Sequence, residues 1–155
     1  MTKLRMGVIG AGLWGNNHAH TFNILPETEL MAVCDIDAGR AERMKAEFGA
    51  KIAVTDYTKL LARDDIDAVS IATPDFTHTP IILAALGAGK HVLSEKPLAT
   101  NVREAEEIAE VASISAGKLM IDFHNRVNPV FAQMRAMVQA GDIGTARHGS
   151  ARLSN

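Results

Sequence analysis

Gly10-Ala11-Gly12-Leu13-Trp14-Gly15 follows directly on the apolar run Leu4-Arg5-Met6-Gly7-Val8-Ile9, with its glycines at the spacing G-x-G-x-x-G. In that setting a strand turns straight into a helix. The first glycine permits the tight turn, the second lets an anionic group approach bare backbone, and the third lets helix and strand pack closely. The N-terminal N–H groups of the helix then face a phosphate. Taken alone, the pattern fits an ordinary glycine-rich turn equally well, so the surrounding chain decides. A dinucleotide site needs an acidic residue about 20 positions further on, at the end of a second strand. The run Leu30-Met31-Ala32-Val33-Cys34 is followed by Asp35.

Beyond this loop, short β-rich runs alternate with stretches of helical periodicity, the pattern of parallel strands joined by crossover helices. Strands are expected near residues 4–9, 29–34, 51–54, 67–72, 90–94 and 119–123, and helices near 13–24, 38–48, 57–62, 79–87 and 101–116. Several strand runs are apolar throughout, as strands covered on both faces must be. Pro80 behind Thr79 suits the first helical position after an N-cap, and Asn101 with Glu104 resembles a capping pair. Val102, Ala105, Ile108, Ala109 and Ala112 form one apolar helix face. The expected fold is α/β: a doubly wound parallel sheet with strand order 3-2-1-4-5-6 in three α/β/α layers. Strands 1 and 4 then meet at the topological switch point, where the glycine loop, Thr73-Pro74-Asp75 and Glu95-Lys96-Pro97 converge on one crevice. A Glu-Lys pair directly behind an apolar run is costly to bury without a partner or a task.

Composition narrows the partners. The 155 residues amount to one domain's worth of chain, and 16 Lys and Arg against 18 Asp and Glu leave a net charge of −2. That balance offers no electrostatic reason to expect nucleic acid or an anionic membrane as partner. Glycines at 7, 10, 12 and 15 interrupt any signal-peptide core, and no apolar run is long enough to span a bilayer. Cys34, the single cysteine, reads as a small buried hydrophobe and fits a reducing, cytoplasmic setting. No Cys/His spacing resembles a zinc site, and no metal is expected. His18 and His20 stand at i and i+2, which does not place them on one helix face, so packing or hydrogen bonding is their expected use. Met31, Met44, Met120, Met134 and Met137 fit core or helix-face positions.

Gly10 to Gly15, Asp35, Thr73-Pro74, Glu95-Lys96-Pro97 and Asp122-Phe123-His124-Asn125-Arg126-Val127-Asn128-Pro129 together resemble the glucose-fructose oxidoreductase / inositol dehydrogenase / MocA (Gfo/Idh/MocA) family. The resemblance runs over essentially the whole chain, and the Glu-Lys-Pro triplet after Gly-Lys-His-Val is its most selective part. It implies an NAD(P)-dependent oxidoreductase that moves hydride between nicotinamide and a hydroxyl or carbonyl carbon of a sugar, cyclitol or related polyol. A smaller branch of the family uses the same hydride step to cleave glycosidic bonds. Carried over by residue, the resemblance implies that Lys96 is catalytic, close to the nicotinamide and the reacting oxygen. Glu95 falls at the nicotinamide ribose, Thr73 and Pro74 border that half of the cofactor, and Asn125 and Arg126 approach the nicotinamide side. His78 belongs to the same crevice, with a role in helix entry as the competing reading. Gly10, Gly12, Leu13, Trp14 and Gly15 form the pyrophosphate loop, and Lys96–Pro97 is a candidate cis peptide.

Asp35 bears on the choice of cofactor. Its carboxylate accepts hydrogen bonds from the ribose hydroxyls of NAD, whereas the 2′-phosphate of NADP meets a like charge, so NAD is favoured over NADP. Arg40 is the competing signal. By this reading residues 1–125 form the cofactor domain, and residues 126–155 lead toward a second one. Asn128 and Pro129 suit the N-cap and first position of a helix with the stripe Val130, Phe131, Met134, Met137 and Val138, ending near Gly141; Ala146 to Leu153 suit a strand. In the family a C-terminal α/β domain follows, with most substrate contacts, the oligomer interface and the proton-transfer residues. That domain is absent from these 155 residues. The resemblance therefore implies a homo-oligomer for a full-length protein, and a chain that holds its cofactor but is catalytically incomplete. A stand-alone dinucleotide-binding module and an NAD-dependent glycosidase are the alternatives. Apolar surface left uncovered on the last helix and strand predicts self-association.

Overall fold

The computed structural model describes residues 2–150. The chain divides after Asp122 into two compact units. In the first, β1 (Leu4–Ile9), β2 (Thr28–Cys34), β3 (Ile52–Val54), β4 (Ala68–Ile71), β5 (His91–Glu95) and β6 (Leu119–Asp122) form one sheet in the order β3-β2-β1-β4-β5-β6. Every ladder is parallel. The connections are α1 (Leu13–Ile24), α2 (Ala38–Phe48), α3 (Tyr57–Leu61), α4 (His78–Gly87) and α5 (Val102–Ile114). This is the doubly wound arrangement expected from the sequence.

Period-two alternation divides the central strands between two cores. Met6 and Val8 pack with Phe22 of α1 and with Met44 and Phe48 of α2. Ile9, Val69 and Ile71 pack with Leu60 of α3, with Ile82 and Ala85 of α4, and with Ile108 of α5. A sheet buried on both faces needs apolar residues at both parities, hence the unbroken apolar runs. Ile9 lies level with Cys34 on one side and Ile71 on the other. The segments that follow β1, β2 and β4 therefore leave the sheet side by side at its carboxyl edge.

Local chemistry sets the helix ends. The Asp37 carboxylate accepts from Arg40 N at 3.0 Å to open α2, which stops at Gly49 in the left-handed region (φ 73°). Asn101 accepts from Glu104 N at 3.0 Å, the capping contact expected at the start of α5. The start of α4 departs from expectation. A 3₁₀ turn at Asp75–Thr77 leads into His78, so Pro80 is the third helical residue, where its missing N–H would have had no helical partner anyway. Thr79 is not the N-cap; its hydroxyl donates to Glu104 Oε2 at 2.9 Å and ties α4 to α5. The inner face of α5 also differs. Val102 and Ala109 are exposed, and Val111 joins Ile108 and Ala112 against the core. Met120, on the edge strand β6, is exposed too, while Met31 and Met44 are buried.

In the second unit a 3₁₀ turn (His124–Arg126) precedes α6 (Pro129–Ala140). Asn128 caps α6 by accepting from Val130 N at 3.0 Å, Pro129 takes its first position, and Gly141 ends it at φ 80°. Its expected stripe, Val130, Phe131, Met134, Met137 and Val138, is exposed. Of the strand expected from Ala146 to Leu153, residues 146–150 adopt no regular structure and 151–153 lie outside the described residues. Among the described residues no helix is long and apolar enough to cross a membrane.

Candidate cofactor site

Each glycine of the loop answers a different constraint. Gly10 adopts φ +101°, and a Cβ there would lie 2.5 Å from the carbonyl oxygen of Ala72 on the neighbouring strand's exit. At Gly15 a Cβ would stand 1.7 Å from Gly10 O, so α1 can pack on the loop only with glycine at this position. Gly12 is the opposite case. Nothing lies within 4 Å of the position its Cβ would take, and its φ of −81° suits any residue. The protein fold does not require glycine at position 12; open space above bare backbone is what an approaching phosphate requires. Gly12 also opens α1 without a side-chain cap and with no acidic residue in the first turn, so the positive end of the helix dipole faces that space.

Asp35 is held from both sides. Its Oδ2 accepts from Ala11 N at 2.7 Å and its Oδ1 from Asp37 N at 2.9 Å. The carboxylate thus bridges the glycine loop and the start of α2. A cavity of about 610 Å³ opens beside it, bounded by Gly10, Gly12, Leu13 and Trp14 of the loop, by Asp35 and Ile36, and by Thr73 and Pro74 after β4. Its size is that of a small-molecule site. Arg40 reaches the same wall, with its guanidinium 3.7 Å from Asp37. Cys34 lines the cavity floor, where burial pushes its thiol up to about 12. Trp14, Ala72 and Thr73 also border a second recess of about 250 Å³, together with Asp75, Glu95, Lys96 and Pro97. The peptide bond between Lys96 and Pro97 is cis, as expected.

His78 lines neither space. It is 1% exposed and lies beneath the two loops, with Nδ1 at 2.7 Å from Pro97 O and Nε2 at 3.0 Å from Thr73 O. Expected at the crevice or at helix entry, it links the exits of β4 and β5 through these two contacts. Asn125 and Arg126 belong to the 3₁₀ turn of the second unit, where the Arg126 guanidinium stacks 5.4 Å from the Phe123 ring centroid. The two histidines of α1 part company. His20 is exposed, with its ring edge toward Phe48. His18 is buried; its Nδ1 lies 2.5 Å from Ser70 Oγ, and its Nε2 lies 3.3 Å from Glu95 Oε1 and 3.5 Å from Asp122 Oδ2. Sequence spacing does not reveal this cluster, because its members come from α1, β4, β5 and β6. Only the pairing of Glu95 with Asp122 across β5 and β6 signals it.

The sequence profile of an oxidoreductase family described by its NAD-binding Rossmann fold matches residues 4–123. Inositol 2-dehydrogenase 4 of Saccharopolyspora erythraea is 37% identical over 145 residues, which cover 92% of this chain and 43% of that protein. Among solved structures, scyllo-inositol dehydrogenase from Lactobacillus casei with bound NAD(H) and scyllo-inositol superposes with a TM-score of 0.88 at 29% identity, over 92% of this chain and 43% of that one. KijD10, a 3-ketoreductase from Actinomadura kijaniata in complex with NADP, superposes with a TM-score of 0.85 at 37% identity, over 92% and 46%. The chain spans less than half the length of these relatives.

Proposed function

This chain belongs to the Gfo/Idh/MocA family of oxidoreductases, with their NAD-binding Rossmann fold, and from that premise we propose that it binds NAD for hydride exchange with a cyclitol or sugar hydroxyl. The observation that carries the proposal is the open space over Gly12 beside the anchored Asp35 carboxylate. The loop fits a pyrophosphate: bare backbone, a helix N-terminus without acidic neighbours, and room for the oxygens. Asp35 retains lone pairs beyond those used by Ala11 and Asp37, and these accept the adenosine ribose hydroxyls. A 2′-phosphate at the same place meets its charge, which favours NAD even though Arg40 reaches the cavity and one relative was solved with NADP.

The recess bearing Thr73, Glu95 and Lys96 receives the nicotinamide end. When bound, the nicotinamide accepts or returns a hydride at the substrate carbon. Lys96, exposed at the rim of the recess, stabilises negative charge developing on the substrate oxygen. Glu95 borders the nicotinamide ribose, and His78 keeps the exits of β4 and β5 in register behind it. Turnover also needs a proton donor or acceptor opposite Lys96. We assign that group to protein outside these residues, since the relatives are more than twice as long as the matched segment. Substrates are proposed from the inositol dehydrogenases and the 3-ketoreductase among the relatives. The buried, unpaired Cys34 supports a reducing compartment such as the cytoplasm.

Calorimetry of the 155-residue chain with NAD and NADP, paired with assays on a panel of inositols and sugars, tests this reading. Saturable binding with preference for NAD and no turnover is expected. No binding of either cofactor would overturn the assignment of the site, and turnover by this chain alone would overturn the placement of the proton-transfer group.

A further inference from the structure

We propose that His18 Nε2, Glu95 Oε1 and Asp122 Oδ2 form a site for one divalent transition-metal ion, best matched by Zn²⁺, beneath the cofactor crevice. One ligand atom from each of the three residues lies within 4.8 Å of the other two, with His18 Nε2 at 3.3 Å from Glu95 Oε1 and 3.5 Å from Asp122 Oδ2. Ligands of tetrahedral zinc, each bound at about 2.0–2.2 Å, stand roughly 3.3–3.5 Å apart. Both edges that meet at His18 have that length.

Glu95 points independently to a missing partner. It is 4% exposed, and its Oε1, directed at the cluster, has no hydrogen-bond partner despite the nearby imidazole. A buried carboxylate oxygen without a donor is costly, and a bound cation removes that cost. Its other oxygen, Oε2, accepts from Lys96 N at 3.2 Å on the crevice side, so one oxygen serves each task. His18 is set up in the same sense. Its Nδ1 lies 2.5 Å from Ser70 Oγ; in the tautomer whose Nδ1–H donates to that hydroxyl, the lone pair of Nε2 is directed toward the carboxylates, the arrangement in which a second hydrogen bond orients a metal-bound histidine.

Charge agrees as well. One neutral imidazole and two carboxylates carry −2, which a divalent ion neutralises, and within the first unit no lysine or arginine pairs with either acid among the described residues. The ligands sit on rigid elements, α1, β5 and β6, with Glu95 and Asp122 in register on adjacent strands. Asp122, with its side chain 23% exposed, gives the ion a way in and leaves a fourth position for water. Spacing rules fail here because each ligand comes from a different element.

The metal-stripped 155-residue chain, titrated with Zn²⁺ against a chromophoric chelator and with Co²⁺ as a spectroscopic probe, tests the site. One-to-one binding with intense visible bands of tetrahedral Co²⁺ is expected, together with a rise in the thermal midpoint. Asp122→Asn and His18→Gln should each weaken Zn²⁺ binding about tenfold or more, whereas His20→Gln should leave it unchanged. Asp122 is only partly buried, so its variant keeps the test valid if His18→Gln does not fold. The absence of stoichiometric binding, or binding that Asp122→Asn does not weaken, would show that His18 bridges the two acids without an ion. Because NAD is not part of the readout, failure here leaves the cofactor assignment standing.

Discussion

The backbone N–H of Ala11 donates to Asp35 Oδ2 at 2.7 Å, so the carboxylate that faces the cavity also fastens the glycine loop. Replacing Asp35 by Ala removes the loop anchor and the proposed ribose acceptor together. NAD affinity should fall about tenfold or more, since a hydrogen bond to a charged group contributes about 1.5–3 kcal/mol. The proposed preference over NADP should narrow, because the charge proposed to oppose the 2′-phosphate is gone. Calorimetry with both cofactors measures the ratio. An unchanged ratio would mean that Asp35 does not face the ribose.

Gly12 and Gly15 should separate binding from folding. Gly12→Ala adds a methyl where nothing lies within 4 Å, so stability should change by less than about 0.5 kcal/mol while NAD binding weakens at least about tenfold. Gly15→Ala drives a methyl into Gly10 O and should cost more than about 2 kcal/mol. Denaturant melts alongside cofactor titrations distinguish the two. Equal destabilisation by both would refute the division of labour.

His78 contacts Pro97 O and Thr73 O from its two ring nitrogens, so His78→Ala releases both loops that border the second recess. The loss of a buried, hydrogen-bonded ring should destabilise the fold by about 2–4 kcal/mol. Cofactor affinity should fall severalfold in the fraction that stays folded. Hydrogen exchange should rise first around Thr73 and Pro97, and uniform exchange across the chain would argue against the brace.

Stability at low pH should follow Asp67. Its carboxylate accepts from Arg5 Nε at 3.0 Å and from Arg5 N at 2.9 Å, and the Arg5 guanidinium holds it at about 2. The folded pKa lies below the unfolded value near 3.9, so this contribution is complete above about pH 4 and is lost as pH falls toward 2. With the two side chains 37% and 32% exposed, water screens the pair. Its contribution should be about 1 kcal/mol rather than the ~2.5 kcal/mol that such a shift implies without screening. Urea melts from pH 6 to pH 2 should show this loss in the parent chain and a flatter profile in Asp67→Asn.

Cys34 is buried, and desolvation, with Asp35 as a lesser cause, pushes its thiol up to about 12. At pH 8 it is therefore protonated and inert. A disulfide exchange reagent should label it slowly in the native chain and fully after denaturation. Rapid labelling of the native protein would place the thiol at the surface.

Local residue chemistry carries a large part of this protein. The glycine spacing, Asp35 at the second strand's end, the apolar runs and the Asn101 cap are patterns written in short stretches of chain, so the elements they mark were legible there, although Gly10 answers to Ala72 and Asp35 to Ala11. The strand order also follows, because right-handed crossovers of this length leave few ways to wind six parallel strands. Thr79 is where a local rule lost to tertiary structure. The 3₁₀ turn at Asp75–Thr77 begins α4 earlier, and the freed hydroxyl is claimed by Glu104 of the neighbouring helix. Val102 and Ala109 have the right period for the inner face of α5, but the supporting helix and sheet reach only as far as Ile108, Val111 and Ala112. The buried cluster of His18, Glu95 and Asp122 depends wholly on tertiary structure. Its members are far apart in the chain and meet only because His18 reaches from α1 to the place where β5 and β6 end in register, a juxtaposition no local pattern encodes.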